Sequence, residues 1–62
     1  MGREGTVSVL CTPGVETAKA IELRLPDGRV VWAPWSQVTE VHRDEEPPRV
    51  VVRAWLAQQE DL

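Results

Sequence analysis

The clearest pattern in the chain is the alternation of apolar and polar residues over residues 19–25. Ile21, Leu23 and Leu25 point one way, and the residues between them, including Glu22 and Arg24, point the other way. Side chains alternate between the two faces of a β-strand, so this stretch predicts a strand with one buried and one solvated face.

A second alternating stretch, residues 6–11, is rich in β-branched residues and predicts a strand that places Val7, Val9 and Cys11 on one face. Residues 12–14 are Thr-Pro-Gly, and Pro-Gly is a strong turn signal. We therefore expect the first strand to end there.

The chain reverses direction at Pro26-Asp27-Gly28, because proline presets the first angle of a turn and glycine accepts a positive φ. Residues 29–33 then return as the partner strand, and the two strands predict a β-hairpin. Pro34 lacks an N–H for the ladder, so it should end this second strand.

The remaining elements are short. We expect one 3₁₀ turn at residues 35–37, strands at residues 38–43 and 49–53, and an exposed acidic loop with two prolines between these strands, at residues 44–48. Residues 54–62 are good helix formers and predict a helix of about two turns. Such a helix is marginal alone, so we expect it to dock through Trp55 and Leu56.

These elements predict a mainly β fold for residues 1–62, taken as a single small domain. The fold is a small, strongly bent antiparallel sheet or a Src-homology-3-like barrel of about five strands, with a short C-terminal helix. Residues 33–38 (APWSQV) resemble the strand–Pro–3₁₀–Val step of the Src-homology-3 family, but lack its usual Tyr. The resemblance supports the geometry and not peptide binding. An oligonucleotide-binding-like barrel and a plain sheet with one helix stay open.

The composition lacks the features that usually stabilise a small domain. The chain has 62 residues and one cysteine, so neither an intrachain disulfide nor a cysteine-rich zinc site can form. No stretch reaches the roughly 20 apolar residues of a membrane span. The N-terminus does not have the pattern of a secretory signal, and a lone thiol then favours the cytoplasm.

The net charge of −3 argues against a protein held on nucleic acid by bulk charge. It does not exclude a local basic face. Arg24, Arg29 and Arg53, with Trp35 to stack on bases, form the alternative nucleic-acid face. The acidic residues Glu22 and Asp27 lie among them, and a charge-balanced surface is the preferred interpretation.

Two sets of residues have side chains that could act in catalysis or bind a metal ion. Cys11 and His42 are a nucleophile and a base, but no orienting third group accompanies them. His42 with Asp44, Glu45 and Glu46 has metal-ligand chemistry, but within five residues the set lacks a recognised metal spacing. We therefore predict no enzyme activity, no metal and no cofactor.

Trp35 is the most informative residue for binding, because a turn does not need a large apolar ring. It is either an interface anchor or a cap on the core. Trp32 and Trp55 are assigned to the core. The acidic residues Glu40, Asp44, Glu45 and Glu46 form either a negative patch for a basic partner or an ordinary solvated loop. The candidate binding surface comprises Trp35, Gln37, Glu40, Asp44, Glu45 and Glu46.

Two spaced segments together resemble a recurrent type of small bacteriophage and prophage protein of unknown function, over roughly two thirds of the chain. The first is ETAKA at residues 16–20, followed by Asp27-Gly28 and by VWAPWSQV at residues 31–38. The second is VRAWLA at residues 52–57, ending in Leu62. The pattern of that type is Glu-Thr-x-Lys-Ala, a hairpin, Val-Trp-x-Pro-Lys-Ser-Gln-Ile and Val-Pro-x-Trp-Leu-Ala. This chain has Trp35 in place of the lysine and Arg53 in place of the second proline. The resemblance implies a phage context and no activity.

The sequence thus favours a non-catalytic protein-binding module, phage-encoded, acting on a host or phage protein in the bacterial cytoplasm. Two alternatives stay open: a small-barrel nucleic-acid-binding protein, and a homo-oligomeric structural or assembly protein. A membrane partner is not expected.

Overall fold

The computed structural model describes residues 5–62, which form a mainly β structure with one short helix at the C-terminal end. The elements are β1 (Thr6–Leu10), β2 (Thr12–Glu16), β3 (Ala20–Arg24), β4 (Val30–Pro34), a 3₁₀ turn (Trp35–Gln37), β5 (Val38–His42), β6 (Arg49–Arg53) and α1 (Ala54–Gln59).

The six strands form two antiparallel sheets of three strands each, in the orders β1-β6-β5 and β2-β3-β4. Cys11 is the single residue between β1 and β2, so the chain passes there from one sheet to the other. The mainly β fold with a short C-terminal helix is confirmed. The expectation of about five strands is corrected to six, and the two sheets are not closed into a barrel.

The additional strand is β2, which contains the Pro-Gly pair that we expected to break the chain. Pro13 lies opposite Leu23, and the register shifts between Pro13 and Glu16. The backbone groups of Leu23 face β4, as the register of the β3–β4 hairpin requires, so the nitrogen of Pro13 faces the open edge. Proline is tolerated at such a position because no ladder donor is lost.

The β3–β4 hairpin is present as predicted. Leu25 N–H donates to Arg29 O at 2.9 Å, and Gly28 N–H donates to Leu25 O at 3.0 Å. Gly28 has a φ of +96°, a conformation that side chains other than glycine rarely adopt. Asp27 accepts from the backbone N–H of Arg29 at 3.0 Å, which fixes the turn further.

The core lies between the inner faces of the two sheets. In one sheet Ile21 lies opposite Ala33, and Leu23 lies opposite Val31. The fully buried side chains of largest volume are Ile21, Leu23, Val50 and Val52, which come from both sheets. The face predicted for the first strand is confirmed, since Val9 and Cys11 are buried and Val7 packs against the core.

Two tryptophans that the sequence suggested for the core are outside it. Trp32 is 48% exposed and Trp55 is 56% exposed. Since Val31 and Ala33 point inward, the alternation of a strand directs Trp32 to the outer face.

The helix is shorter than residues 54–62 and docks differently from the prediction. Leu56 and Ala57 are its buried residues, and Trp55 is not among them. The chain turns back after α1 with Asp61 at a φ of +57°, and Leu62 N–H donates to Ala57 O at 2.8 Å. Within residues 5–62, no helix is long and apolar enough to cross a membrane.

Candidate functional site: the outer face and free edge of β4

Trp35 packs against the core from the 3₁₀ turn. Its side chain is half-buried and in contact with the core cluster, and its Nε1–H donates to Thr17 O at 2.8 Å. Its backbone N–H donates to Lys19 O at 3.0 Å. Both N–H groups of Trp35 thus donate hydrogen bonds within the fold. Of the two roles weighed for Trp35, this geometry favours the cap over the interface anchor.

An apolar strip runs along the outer face of β4. Val30, Trp32 and Pro34 are alternate residues of the strand, and all three are exposed. Val30 is 51% exposed, close to the value for Trp32. Exposed apolar side chains that stand singly are ordinary, but three on one strand face, including an indole, form a patch. We call these three residues the β4 strip.

The polar neighbour of the β4 strip is Glu22, which lies opposite Trp32 on β3. The Glu22 side chain is only 14% exposed; its Oε1 accepts from Val15 N–H at 3.1 Å and from Arg24 Nε at 3.0 Å. The Val15 N–H, and secondarily Arg24, hold the pKa of this carboxyl below its usual range. The negative charge beside the indole is therefore already satisfied.

Gly14 makes this arrangement possible. A Cβ on Gly14 would lie 2.2 Å from Glu22 Oε1 and 2.9 Å from Arg24 Nε. The bulge of β2 thus brings its backbone close to the Glu22–Arg24 pair. The Arg24 side chain is 57% exposed at the rim of the β4 strip.

The outer edge of β4 is an unpaired strand edge among residues 5–62, because β4 is the last strand in its sheet. Lys19 and Trp35 form a hydrogen-bonded pair, and so do Leu25 and Arg29. Bonded and non-bonded pairs alternate along an antiparallel ladder. The backbone groups of the β4 strip are therefore directed away from β3, toward the open edge.

The predicted acidic surface is only partly free. His42 Nε2 lies 2.7 Å from Glu40 Oε1, and His42 Nδ1 lies 3.2 Å from Glu45 Oε2. Both ring nitrogens thus face carboxylate oxygens of the acidic residues. Arg49 Nε donates to Glu45 Oε1 at 2.9 Å, and mainly this bond lowers the pKa of Glu45.

These contacts connect the acidic loop to the outer face of the β1-β6-β5 sheet, where Arg49 also reaches Ser8 Oγ at 3.1 Å. Within the described part of the chain, Asp44 and Glu46 are exposed and make no ion pair. Gln37, the remaining residue of the predicted surface, is half-buried in the 3₁₀ turn. The structure places Trp35 with the core and the acidic group around His42.

The three arginines of the alternative nucleic-acid face are not on one surface. Arg24 lies on the outer face of the β2-β3-β4 sheet and Arg53 on the outer face of the other sheet, opposite Thr6. Arg29 is bound to Asp27 Oδ2 at 3.1 Å and reaches the backbone carbonyls of Glu60 and Asp61. Arg53 donates to Ser36 O at 3.3 Å.

Two of the three remaining cations in the described residues are already paired. Arg43 is paired with Glu16, and Arg49 with Glu45, whereas Lys19 is exposed and makes no ion pair with the described residues. Free cations displace the counterions of phosphates, and an arginine that already has a carboxylate partner does so less effectively. The distribution of charge therefore agrees with the sequence interpretation of a charge-balanced surface.

Cys11 and His42 are not brought together for catalysis. Cys11 is buried in the core, whereas His42 lies opposite Arg49 on the outer face of its sheet. Burial raises the pKa of the Cys11 thiol, so little thiolate forms at neutral pH. Over residues 5–62, no group of three or more His, Cys, Asp or Glu side chains is arranged to hold a metal ion.

Two open grooves of about 390 and 460 Å³ share Leu10, Leu25 and Pro26 at one end of the molecule. Their size suits a small molecule, but such sites also need convergent polar groups. Every buried side-chain nitrogen or oxygen in the described residues has a hydrogen-bond partner within the fold. Three of the charged side chains that line the grooves, Arg24, Asp27 and Arg29, are bonded within the fold.

Comparison of the chain with protein-family models, with curated proteins and with solved structures found no match. The candidate site therefore rests on geometry alone, and its distinguishing feature is the β4 strip beside an open edge. Sequence reasoning missed Trp32. The signal was present, because a hairpin turn at Asp27-Gly28 places Trp32 opposite the polar Glu22.

Proposed function

We propose that this chain is a non-catalytic protein-binding module whose contact surface is the outer face of the β2-β3-β4 sheet, centred on Trp32. The observation that carries the proposal is the 48% exposure of the Trp32 indole between Val30 and Pro34. Following the sequence resemblance, the module is phage-encoded and acts on a host or phage protein.

The chemistry of the surface suits a protein partner. Tryptophan is enriched among the few residues that dominate binding energy, and apolar neighbours that exclude water strengthen its contribution. Burying the exposed half of an indole contributes about 2–3 kcal/mol at the usual coefficient for apolar area. Its loss should weaken binding roughly 30- to 150-fold.

The exposed charge at the rim of the surface favours selectivity. Binding does not require an unpaired charge to be desolvated at the centre. Arg24 is exposed there and available to a carboxylate of the partner, whereas Glu22 is shielded and satisfied. A charge at the rim steers encounter and discriminates between partners, and it contributes less to affinity than the buried anchor. We therefore expect a partner that presents an apolar surface with an acidic group beside it.

The test is affinity capture from a lysate of the bacterial host by three proteins: wild type, Trp32→Ala and Trp55→Ala. Trp55 provides the matched control, because it is the other exposed tryptophan and lies on α1. Each capture is repeated after nuclease treatment, and each protein is first shown to fold by circular dichroism.

Capture of the same protein by wild type and Trp55→Ala, but not by Trp32→Ala, supports the proposal if it survives nuclease. Equal capture by Trp32→Ala means that the chosen surface is wrong. Capture that disappears on nuclease treatment favours the nucleic-acid alternative, and no capture by any variant contradicts the binding module itself.

A further inference from the structure

β4 differs from the other edge strands in having neither a bulge nor a helix against it, and its one protecting residue, Pro34, lies at its end. Both β2 and β5 have irregular register, and β1 lies against α1. Bulges and covering elements are the usual protection of a sheet edge. β4 keeps a regular register with β3 from Val30 to Pro34, and its other side is unpaired in the described residues.

Few backbone groups are available for hydrogen bonding at this edge. Val30 and Trp32 each direct one N–H and one carbonyl outward, as the alternation of the β3–β4 ladder requires. Pro34 directs a carbonyl outward and has no N–H. A regular ladder with both donors and acceptors can therefore form over Val30 and Trp32 and not beyond Pro34.

From this edge we infer that β4 pairs antiparallel with β4 of a second copy of the chain, so that two three-stranded sheets become one sheet of six. Val30 of each copy lies opposite Trp32 of the other, about a two-fold axis at Val31. Each of the two pairs exchanges two hydrogen bonds, and all the outward-directed groups of these residues are used. Pro34 lies just outside the ladder and ends it.

The position of Pro34 favours this register over its neighbour. A shift that placed Trp32 opposite Trp32 would put a proline, which has no N–H, in each flanking pair. With Val30 opposite Trp32, both hydrogen-bonded pairs keep their N–H donors.

The pairing extends the proposed binding surface without covering it. Edge pairing is in the plane of the sheet, whereas the side chains of the β4 strip stand out of that plane. The dimer presents two Trp32 indoles and two Arg24 side chains on one continuous outer face. The inference rests on the proposed function for the role of this face, but the dimer itself is tested separately.

Sedimentation of the whole chain from micromolar to millimolar concentration tests the dimer, with three variants. Val30→Pro removes an edge-directed N–H that β3 does not use, and retains Trp32. Trp32→Lys puts a cation at the centre of the ladder, and Trp55→Lys is the same change on α1. We expect wild type and Trp55→Lys to dimerise, and the other two to associate at least about tenfold more weakly.

A wild type that stays monomeric over the whole range overturns the dimer, and so does a dimer that Val30→Pro and Trp32→Lys leave intact. Trp32→Lys keeps the test decisive if Val30→Pro does not fold. Since each copy carries a net charge of −3, added salt should strengthen the association.

A monomeric wild type that still captures protein through Trp32 refutes only the dimer. A dimer that captures nothing refutes only the proposed function.

Discussion

Replacing Trp35 by alanine distinguishes a core cap from an interface anchor. The indole is half-buried against the core and its Nε1–H bonds to Thr17 O. A fully buried tryptophan costs about 3–5 kcal/mol on truncation to alanine, so a half-buried one should cost about half of that. The lost hydrogen bond adds about 1 kcal/mol, since Thr17 is exposed and water can replace the donor.

The expected loss for Trp35→Ala is therefore about 2.5–3.5 kcal/mol. A chain of 62 residues has a total stability of about 3–9 kcal/mol, so this loss is a large fraction of the whole. Trp35→Phe keeps one aromatic ring against the core but loses the hydrogen bond and part of the ring contact, and should cost about 1–2 kcal/mol. Trp32→Ala, on the outer face, should change the free energy of unfolding by less than about 0.5 kcal/mol.

The assay is urea unfolding followed by far-ultraviolet circular dichroism, because tryptophan fluorescence would itself change with the substitutions. The order of stability should be wild type and Trp32→Ala together, then Trp35→Phe, then Trp35→Ala. A Trp35→Ala protein within about 0.5 kcal/mol of wild type would refute the cap, and would return Trp35 to the candidate binding residues.

Three further predictions follow from the core, the turn and the acidic loop. The Cys11 thiol should react with a thiol reagent far more slowly in the native protein than in urea, since it is buried and its pKa is raised; equal rates would contradict the burial. Gly28→Ala should cost about 1–2 kcal/mol in urea unfolding because of the positive φ, whereas an unchanged midpoint would show that the turn adapts. The Glu45 pKa is lowered chiefly by Arg49, so its contribution to stability is complete above the ordinary carboxylate range and is lost as the pH falls through the lowered pKa. Glu45→Gln should therefore flatten the acid limb of a melting-temperature profile, and an unaltered limb would exclude this group.

The sequence was sufficient where a local rule decides the structure. The alternation of Ile21, Leu23 and Leu25 set the buried face of β3, and Asp27-Gly28 set the hairpin. The 3₁₀ turn after Pro34 was predicted because too few residues remain there for a helix. These features depend on neighbouring residues alone.

The errors arose where position in the sheet overrides a local signal. Pro13 was interpreted as a break, yet it is tolerated because β2 is an edge strand. Trp32 was assigned to the core because it lies on the hairpin, although its register with Glu22 places it outside. Trp55 was assigned to the core because it lies on the expected helix face, although α1 buries Leu56 and Ala57 instead.

The contacts of His42 with Glu40 and Glu45 could not be predicted from spacing. They depend on the path of the acidic loop and on Arg49, which holds Glu45 from the next strand. The same holds for the Glu22 carboxylate, which accepts from a bulge in β2 that the sequence did not indicate. Side-chain networks that join separate elements require the tertiary structure.

The most direct test of the β4 surface is amide hydrogen exchange of Val30 and Trp32, measured in dilute and in concentrated wild-type protein. Both amides point to the open edge, whereas those of Val31 and Ala33 are bonded to β3. We predict rapid exchange of Val30 and Trp32 in dilute solution and clear protection at high concentration, with Val31 and Ala33 protected throughout. Exchange of Val30 and Trp32 that stays rapid at every concentration, or new protection confined to the acidic loop, would contradict the account.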